Sequence, residues 1–324
     1  MKLKKYGNTD IMITPIGLGT WVMGGSWWGG SDGEDCRNTV IAALESGINL
    51  VDTAPAYGQG ISEKIVGEAL KQFGRKKVIL STKAGLRWDD KGDVTRNCSP
   101  ESLEYELDMS MRRLQTDYID IYHLHWPDFS TPMEDVMSRM NEFKKAGKIR
   151  AIAVSNLSVT QMKACIDTGL LDGCQPPLNL FERESEKEIL PLCNEHNLGV
   201  LSYGAICRGL LSGKYTRESK FADGDMRSFD PKFQPENFRQ YINAVEKLKE
   251  LASDLDITVS QLAVAWTFSQ KGVTTALVGA RRPSQIAETA KAGDIVISAD
   301  VAEKIESILK EHIVKDIGPE FMAP

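Results

Sequence analysis

Short apolar runs rich in β-branched residues alternate with longer segments of helical period along almost the whole chain. Such alternation predicts parallel strands joined by crossover helices. The predicted strands cover residues 16–19, 48–52, 78–83, 118–125, 149–154, 173–175, 199–203 and 275–278. Eight strand–helix pairs predict an α/β protein with a (β/α)8 barrel of the TIM-barrel type, whose sheet closes on itself. A doubly wound open sheet is the alternative.

The segments outside these pairs predict additions to the barrel. Residues 3–6 and 11–13 flank four turn-forming residues and predict an N-terminal β-hairpin. The extra C-terminal helices are predicted near residues 238–255, 260–271 and 298–311. Residues 208–235 are polar and aperiodic, which is typical of a long functional loop. The chain has 324 residues and no break in composition, so we expect one domain over residues 1–324.

Two of the helix starts carry a Ser/Thr-x-x-Glu pattern. It occurs at Thr131 and at Ser185. In a capping box the hydroxyl accepts a backbone N–H three residues later, and the glutamate returns a hydrogen bond. Both positions therefore predict capped helix N-termini.

Composition and charge exclude several classes of protein. Lys and Arg total 39 and Asp and Glu total 45, a net charge of −6, which does not favour a nucleic-acid surface. The N-terminus lacks the apolar core of a secretory signal, and no apolar run is long enough to cross a membrane. The six cysteines form no C-x-x-C pair and predict reduced thiols. We therefore expect a cytoplasmic protein.

Ionisable side chains follow three consecutive predicted strands. Asp52 ends the second strand and Tyr57 lies on the loop after it, while Lys83 ends the third strand and His125 the fourth. Active sites of such barrels lie at the carboxyl ends of the strands. A carboxylate, a phenol, an amine and an imidazole are therefore expected on one rim. A structural ion pair beside an unrelated rim histidine is the alternative interpretation.

These four groups suit the reduction of a carbonyl group. A free tyrosine titrates near pH 10, so we expect the Lys83 ammonium to lower the pKa of Tyr57 and make it a usable proton donor. Asp52 would hold Lys83 charged, and His125 would hydrogen-bond the substrate oxygen. Because none of the four is a hydride source, a reduced cofactor must supply the hydride.

Tryptophans and a histidine pair complete the strand-end features. The tryptophans on or beside these loops are candidates for the wall of a substrate pocket; they are Trp21, Trp27, Trp28, Trp88 and Trp126. Packing within the loops is the alternative.

His123 and His125 have the spacing of some metal sites, but a zinc site needs at least three protein ligands. We therefore predict no metal, with His123 packed deeper in the barrel.

Several runs of the sequence carry a resemblance to a known family. They are GLGTW (17–21), DTAPAYG (52–58), LQTDYID (114–120), HWPD (125–128) and GKIRAIAVSN (147–156). With these runs the chain resembles the aldo-keto reductases over its whole length. Through PPLNLFER (176–183), CRGLL (207–211) and GPEFMAP (318–324) it resembles, within that family, the bacterial general-stress reductases.

The resemblance implies an NADPH-dependent reductase of aldehydes or ketones, with NADPH extended across the barrel mouth and Tyr57 as the proton donor. It implies Asp52, Tyr57, Lys83 and His125 as the catalytic residues. The implied cofactor-binding residues are Gly19, Thr20, Asp52, Ser155, Asn156, Gln175, Tyr203, Gly204, Ala205, Ile206, Cys207, Arg208, Lys214, Arg227, Gly279, Ala280, Arg281, Gln285 and Glu288. The expected partner is a small carbonyl substrate. An NADP(H)-sensing regulatory module and a physiological dehydrogenase of sugars or alcohols are the alternatives.

Overall fold

The computed structural model describes residues 1–25 and 27–324. The strands in these described residues are β1 (Lys4–Lys5), β2 (Met12–Ile13), β3 (Ile16–Gly19), β4 (Leu50–Asp52), β5 (Ile79–Ala84), β6 (Leu86–Trp88), β7 (Val94–Arg96), β8 (Ile119–Leu124), β9 (Ile149–Ser155), β10 (Gly173–Gln175), β11 (Gly199–Ser202) and β12 (Thr275–Gly279). Parallel strands close into a barrel in the order β10-β11-β12-β3-β4-β5-β8-β9. The predicted (β/α)8 barrel is confirmed.

Helices surround the barrel and extend its C-terminal part. They are α1 (Gly33–Glu45), α2 (Ile61–Phe73), α3 (Pro100–Leu114), α4 (Met133–Lys145), α5 (Val159–Asp167), α6 (Ile189–Glu195), α7 (Pro235–Asp254), α8 (Val259–Ser269), α9 (Pro283–Ala290) and α10 (Ala299–His312). Short 3-10 helices cover Trp21–Gly24, Arg75–Lys77, Glu184–Glu186, Cys207–Ser212, Met226–Ser228, Pro231–Phe233, Lys291–Asp294 and Glu320–Met322. The predicted N-terminal hairpin is the antiparallel pair β1–β2, and the predicted extra C-terminal helices are α7, α8 and α10. No helix in the described part of the chain is long and apolar enough to cross a membrane.

Both predicted capping boxes are wrong. The hydroxyl of Thr131 donates to the Asp128 carboxylate, and α4 begins two residues later without a side-chain cap. The hydroxyl of Ser185 donates to the carbonyl of Pro177 inside a 3-10 turn, and α6 begins only at Ile189. In both places the hydroxyl bonds to a group that precedes it in the chain, three residues earlier for Thr131 and eight for Ser185, and caps no helix N–H.

Strand alternation selects which residues face the barrel interior. Asp52 pairs in register with Ser81, and Lys83 pairs with His123. Because side chains two residues apart on a strand point to the same side, Ser81 and Lys83 both face inward. The sequence therefore lines one end of the interior with polar groups.

The other end of the barrel is plugged by Tyr6 from the N-terminal hairpin. Its side chain is fully buried and packs on Gly173 and Gly199, which have no side chains of their own. A Cβ added at Gly199 would lie 2.2 Å from Cδ2 of Tyr6, and one at Gly173 would lie 2.0 Å from its hydroxyl oxygen. These two glycines create the space for the plug.

We expect Gly199→Ala to lower the free energy of unfolding by about 2–3 kcal/mol, because a well-packed core does not absorb an added methyl group. Urea unfolding followed by circular dichroism measures the loss. Gly33→Ala is the control, since nothing lies within 4 Å of a Cβ there. Equal stability of the two variants would contradict this account of the plug.

Candidate active site

Four ionisable residues meet at the carboxyl ends of three neighbouring strands, as predicted. Asp52 is the last residue of β4, Lys83 lies near the end of β5, and His125 directly follows β8. Tyr57 lies on the loop between β4 and α2. Asp52, Lys83 and His125 are all buried, whereas Tyr57 remains partly exposed at the mouth of the barrel.

The Asp52 carboxylate accepts hydrogen bonds from three side chains. The ammonium of Lys83 donates to Oδ2 at 2.6 Å, while the Ser81 hydroxyl and the Gln175 amide donate to Oδ1 at 2.7 Å and 2.9 Å. Lys83 also donates to the carbonyl of Thr53 at 2.9 Å. A buried ion pair with this many hydrogen bonds has a fixed geometry. Asp52 therefore holds the Lys83 ammonium at one defined position.

The Tyr57 ring contacts both the Lys83 ammonium and the His125 imidazole. Lys83 Nζ lies 5.0 Å from the ring centroid of Tyr57, and the His125 ring lies edge-on with its centroid at 5.8 Å. Nδ1 of His125 is buried and has no hydrogen-bond partner within the described residues. A buried polar atom without a partner is costly, and a bound molecule commonly satisfies it. This atom indicates that the site accepts a polar ligand.

The expected lowering of the Tyr57 pKa is wrong for this structure. Burial raises the pKa of Tyr57 well above 10, and the Asp52 carboxylate raises it further. The sequence argument considered only the ammonium and omitted both the low dielectric and the carboxylate behind it. The phenol is therefore fully protonated at neutral pH.

Burial also fixes the protonation of the two basic groups. It lowers the pKa of Lys83, but the charge and hydrogen bond of Asp52 oppose that effect. Burial, together with the positive charge of Lys83, holds the pKa of His125 well below 6.5. Burial thus favours the neutral imidazole of His125, while Asp52 favours the ammonium form of Lys83.

A buried hydroxyl network fixes the loop that carries Tyr57. The Ser62 hydroxyl lies 2.7 Å from that of Thr20 and 3.0 Å from that of Thr53, which joins α2 to the ends of β3 and β4. At Gly58, where φ is +61°, a Cβ would lie 2.2 Å from the carbonyl oxygen of Gly24. Only glycine allows this approach of the two loops. Sequence reasoning did not identify Ser62 or Ser81, although the period of two on β5 would have placed Ser81 beside Lys83.

The predicted nicotinamide-binding residues lie at the next strand ends. Ser155 ends β9 and donates to the carbonyl of Gln175, which ends β10. Asn156 has a φ of +58° and donates to the carbonyl of His125, while its Oδ1 accepts the Tyr203 hydroxyl at 3.0 Å. Direct hydrogen bonds thus join Asn156 to His125 and Gln175 to Asp52. Gly19 and Gly279 pair at the carboxyl ends of β3 and β12 on the same rim, where Gly19 also pairs with Asp52.

Positive charges gather farther along the rim, at residues that the resemblance assigns to the cofactor. The charges of Arg227, Arg281 and Arg282 act on the Lys214 ammonium, whose pKa they lower together with burial. Asp225 forms an ion pair with Arg227 and partly compensates this charge. Arg281 donates to the carbonyls of Trp28 at 2.8 Å and Gly30 at 3.0 Å. An excess of cations of this kind suits a phosphate group.

Arg208 does not join that group. Its guanidinium is buried between the carboxylates of Glu182 and Asp230, and Lys232 pairs with the same Glu182. The loop before it, Gly204 to Cys207, bends sharply, since the carbonyl of Gly204 accepts the Cys207 N–H at 2.7 Å. Arg208 itself has a φ of +52°, an uncommon conformation for a residue with a side chain. The structure thus gives Arg208 a loop-fixing position, whereas the resemblance implied a cofactor-binding residue.

The last residues in the chain that the resemblance assigns to the cofactor lie on or near α9. Oε1 of Gln285 accepts the backbone N–H groups of Arg281 and Arg282 at 3.0 Å and 3.2 Å. Glu288 lies exposed on α9 and, with Gly213, borders a cavity of about 700 Å³. Ala280 is buried, and Ile206 packs against the core.

The five tryptophans occupy different positions. Trp21 stacks on Tyr57 with centroids 6.2 Å apart and meets Trp28 edge-on at 5.2 Å. Trp126 follows His125, and Trp88 lies on β6, both partly buried. Trp27 is 56% exposed and contacts Phe229 instead. The structure therefore brings Trp21 and Trp28 to the site and leaves Trp27 outside it.

Comparisons with known proteins agree with this geometry. The model of the aldo/keto reductase family matches residues 15–310. The aldo-keto reductase YhdN of Bacillus subtilis is 44% identical, covering 100% of this chain and 98% of the relative, and the NADH-specific methylglyoxal reductase of Escherichia coli is 37% identical, covering 94% and 100%. The solved glycerol dehydrogenase AKR11B4 from Gluconobacter oxydans is 41% identical, with a TM-score of 0.90 and 99% of each chain covered. The chain belongs to the aldo/keto reductase family of oxidoreductases.

Proposed function

We propose that this protein is an NADPH-dependent reductase of aldehydes or ketones, with Tyr57 as the proton donor. The observation that carries the proposal is the contact of the Tyr57 ring with both Lys83 Nζ, 5.0 Å from the ring centroid, and the His125 ring, edge-on at 5.8 Å. A proton donor, a positive charge and a hydrogen-bonding ring therefore meet at the mouth of the barrel. The reduced nicotinamide supplies the hydride when it is bound.

Each residue then has a distinct task. A ring N–H of His125 donates a hydrogen bond to the substrate carbonyl oxygen and orients it. Tyr57 gives its proton to that oxygen as negative charge develops there. The Lys83 ammonium stabilises the phenolate that remains, and Asp52 holds the ammonium in place through the 2.6 Å ion pair. The raised pKa of Tyr57 in the protein without ligands keeps the phenol protonated until the reaction removes the proton.

The residues present fit a dinucleotide. Ser155, Asn156, Gln175 and Tyr203 lie beside the catalytic group, where the carboxamide and ring would bind. The excess positive charge on Lys214 and its arginine neighbours fits the phosphates. We also propose that residues 1–324 act as one cytoplasmic domain, because the barrel strands run from 16 to 279 and all six cysteines are free thiols.

Arg281 is the proposed contact for the phosphate that distinguishes NADPH from NADH. We expect Arg281→Ala to weaken NADPH binding about tenfold to 100-fold, as loss of a charged hydrogen bond does, and to change NADH binding less than about threefold. Fluorescence titration of both cofactors measures the effect, with the exposed Arg217→Ala as control. Equal losses for both cofactors would refute the NADPH assignment. NADH has to be measured in parallel, since the Escherichia coli relative is described as NADH-specific.

An absorbance assay tests the reaction itself. Aldehydes and ketones, including methylglyoxal, are offered with NADPH and with NADH in parallel, and consumption of the reduced cofactor is followed. The name of the Gluconobacter oxydans structure favours a second candidate, oxidation of a polyol, so glycerol with each oxidised cofactor is the companion assay. Absence of turnover in both directions would refute the proposal.

A further inference from the structure

A buried carboxyl group that the proposed mechanism does not use lies behind β5. It belongs to Glu106 of α3, which is 3% exposed. Oε1 accepts the backbone N–H of Gly85 at 3.1 Å and the Ser102 hydroxyl at 3.2 Å. Oε2 is buried and has no hydrogen-bond partner within the described residues. A carboxylate in this position is costly to ionise and sensitive to any change around it.

Gly85 is the base of the β6–β7 hairpin. It lies two residues after Lys83 with a φ of +101°, and its carbonyl accepts the N–H of Asn97 at 3.1 Å, so both ends of the hairpin meet there. A Cβ at Gly85 would lie 3.1 Å from the carbonyl oxygen of Trp126. The Glu106 carboxylate thus holds the point where the hairpin packs against the segment after His125.

The hairpin forms one side of the barrel mouth. Trp88 lies on its first strand. On its second strand, Arg96 stacks over Trp126 at 5.0 Å and donates to the carbonyls of Pro127 at 3.3 Å and Pro324 at 3.0 Å. A shift at Gly85 therefore moves the aromatic side chains next to His125. The residues expected to bind the nicotinamide lie at the ends of β9, β10 and β11, which are not neighbours of β5 in the barrel.

We propose that Glu106 is a positioning residue: its ionised form holds the β6–β7 hairpin against Trp126, and its protonation loosens this wall and weakens binding of the carbonyl substrate without changing the affinity for the cofactor. The inference rests on the proposed function. A hydrogen bond to an ionised acceptor is roughly twice as strong as one to a neutral acceptor. The anchor at Gly85 therefore depends on the charge of Glu106.

The charge of Glu106 changes close to neutral pH. Burial raises the pKa of Glu106 to about 7, and the hydrogen bonds from Gly85 and Ser102 oppose the rise. The charge of Arg87 on β6 and the backbone N–H of Leu86 also lower the pKa of Glu106, and Glu106 in turn raises the pKa of Cys98 before α3 and of Tyr122 on β8. The pKa of Cys98 is about 12 and that of Tyr122 lies well above 10, so neither changes charge in this range.

The experiment follows substrate KM and cofactor Kd from about pH 5.5 to 8.5. In the wild type we expect KM to rise about threefold to tenfold as the pH falls through about 7, with Kd unchanged. Glu106→Gln imitates the neutral acid, so its KM should stay at the raised value at every pH. Ser102→Ala removes a donor from the ionised form and should move the midpoint to higher pH. Glu101→Gln, an exposed change on the same helix, should match the wild type.

A second readout needs no turnover. The fluorescence of Trp88 is obtained as the wild-type signal minus that of Trp88→Phe. This fluorescence should change with pH, with a midpoint near pH 7, and the change should vanish when Glu106→Gln is introduced into both proteins. Carbonyl reduction with a KM that is flat in pH, or an unchanged profile in Glu106→Gln, would overturn the inference. If no carbonyl compound is reduced, the proposed function fails, and the fluorescence titration still decides the role of Glu106.

Discussion

Tyr57→Phe is expected to lower kcat for carbonyl reduction by a factor of about 10²–10⁴, the range typical of a lost general acid. The change removes one oxygen and keeps the ring, so stacking on Trp21 and the edge contact with His125 persist. The fold and the cofactor site should therefore be preserved. We expect the Kd for NADPH to change less than about twofold.

Steady-state kinetics and a cofactor titration on the same preparation measure both quantities. Tyr118→Phe is the matched control, because Tyr118 lies at the other end of β8, where its ring covers Arg75 at 4.0 Å. If Tyr57→Phe retained more than a few per cent of wild-type kcat, another group would be the acid. A large loss of NADPH affinity would instead show that the substitution had disturbed the cofactor site.

Lys83→Met is expected to lower both stability and activity. The ammonium is fully buried, and its removal leaves Asp52 as a buried charge without a cation. Breaking one side of a buried ion pair costs about 3–5 kcal/mol. Activity should fall at least as far as in Tyr57→Phe, because the phenolate left by proton transfer loses its stabilising charge.

The double variant Asp52→Asn, Lys83→Met separates the two effects. Removal of both charges should recover most of the lost stability, since no uncompensated charge remains. Activity should stay low, because the ammonium is still absent. Denaturant unfolding and kinetics of the four proteins of this cycle measure the coupling. Recovery of activity in the double variant would refute the role of Lys83.

The local sequence pattern predicted the barrel and which ionisable residues meet at its rim. Asp52, Lys83 and His125 each close an apolar run, and in a parallel barrel all strand ends of one kind lie on one rim. Their meeting therefore followed from topology without any knowledge of side-chain positions. The cofactor roles of Lys214, Arg227 and Arg281 were instead implied by the resemblance to the family.

Protonation and pairing needed the folded molecule. The pKa of Tyr57 depends on its burial and on Asp52 behind it, and both are properties of packing. Arg208 was expected at a phosphate but lies between Glu182 and Asp230, residues far from it in sequence. The sequence showed a cation on a loop, and only the tertiary contacts decided which anion it meets.

The sequence by itself determined the order of strands and helices and which residue types reach the rim, because strand and helix periods are local properties of the chain. Only the tertiary structure decided the network around Asp52, the plug formed by Tyr6 and the buried carboxyl of Glu106. These depend on distances between residues widely separated along the chain, and on the low dielectric that exists only once the barrel has closed.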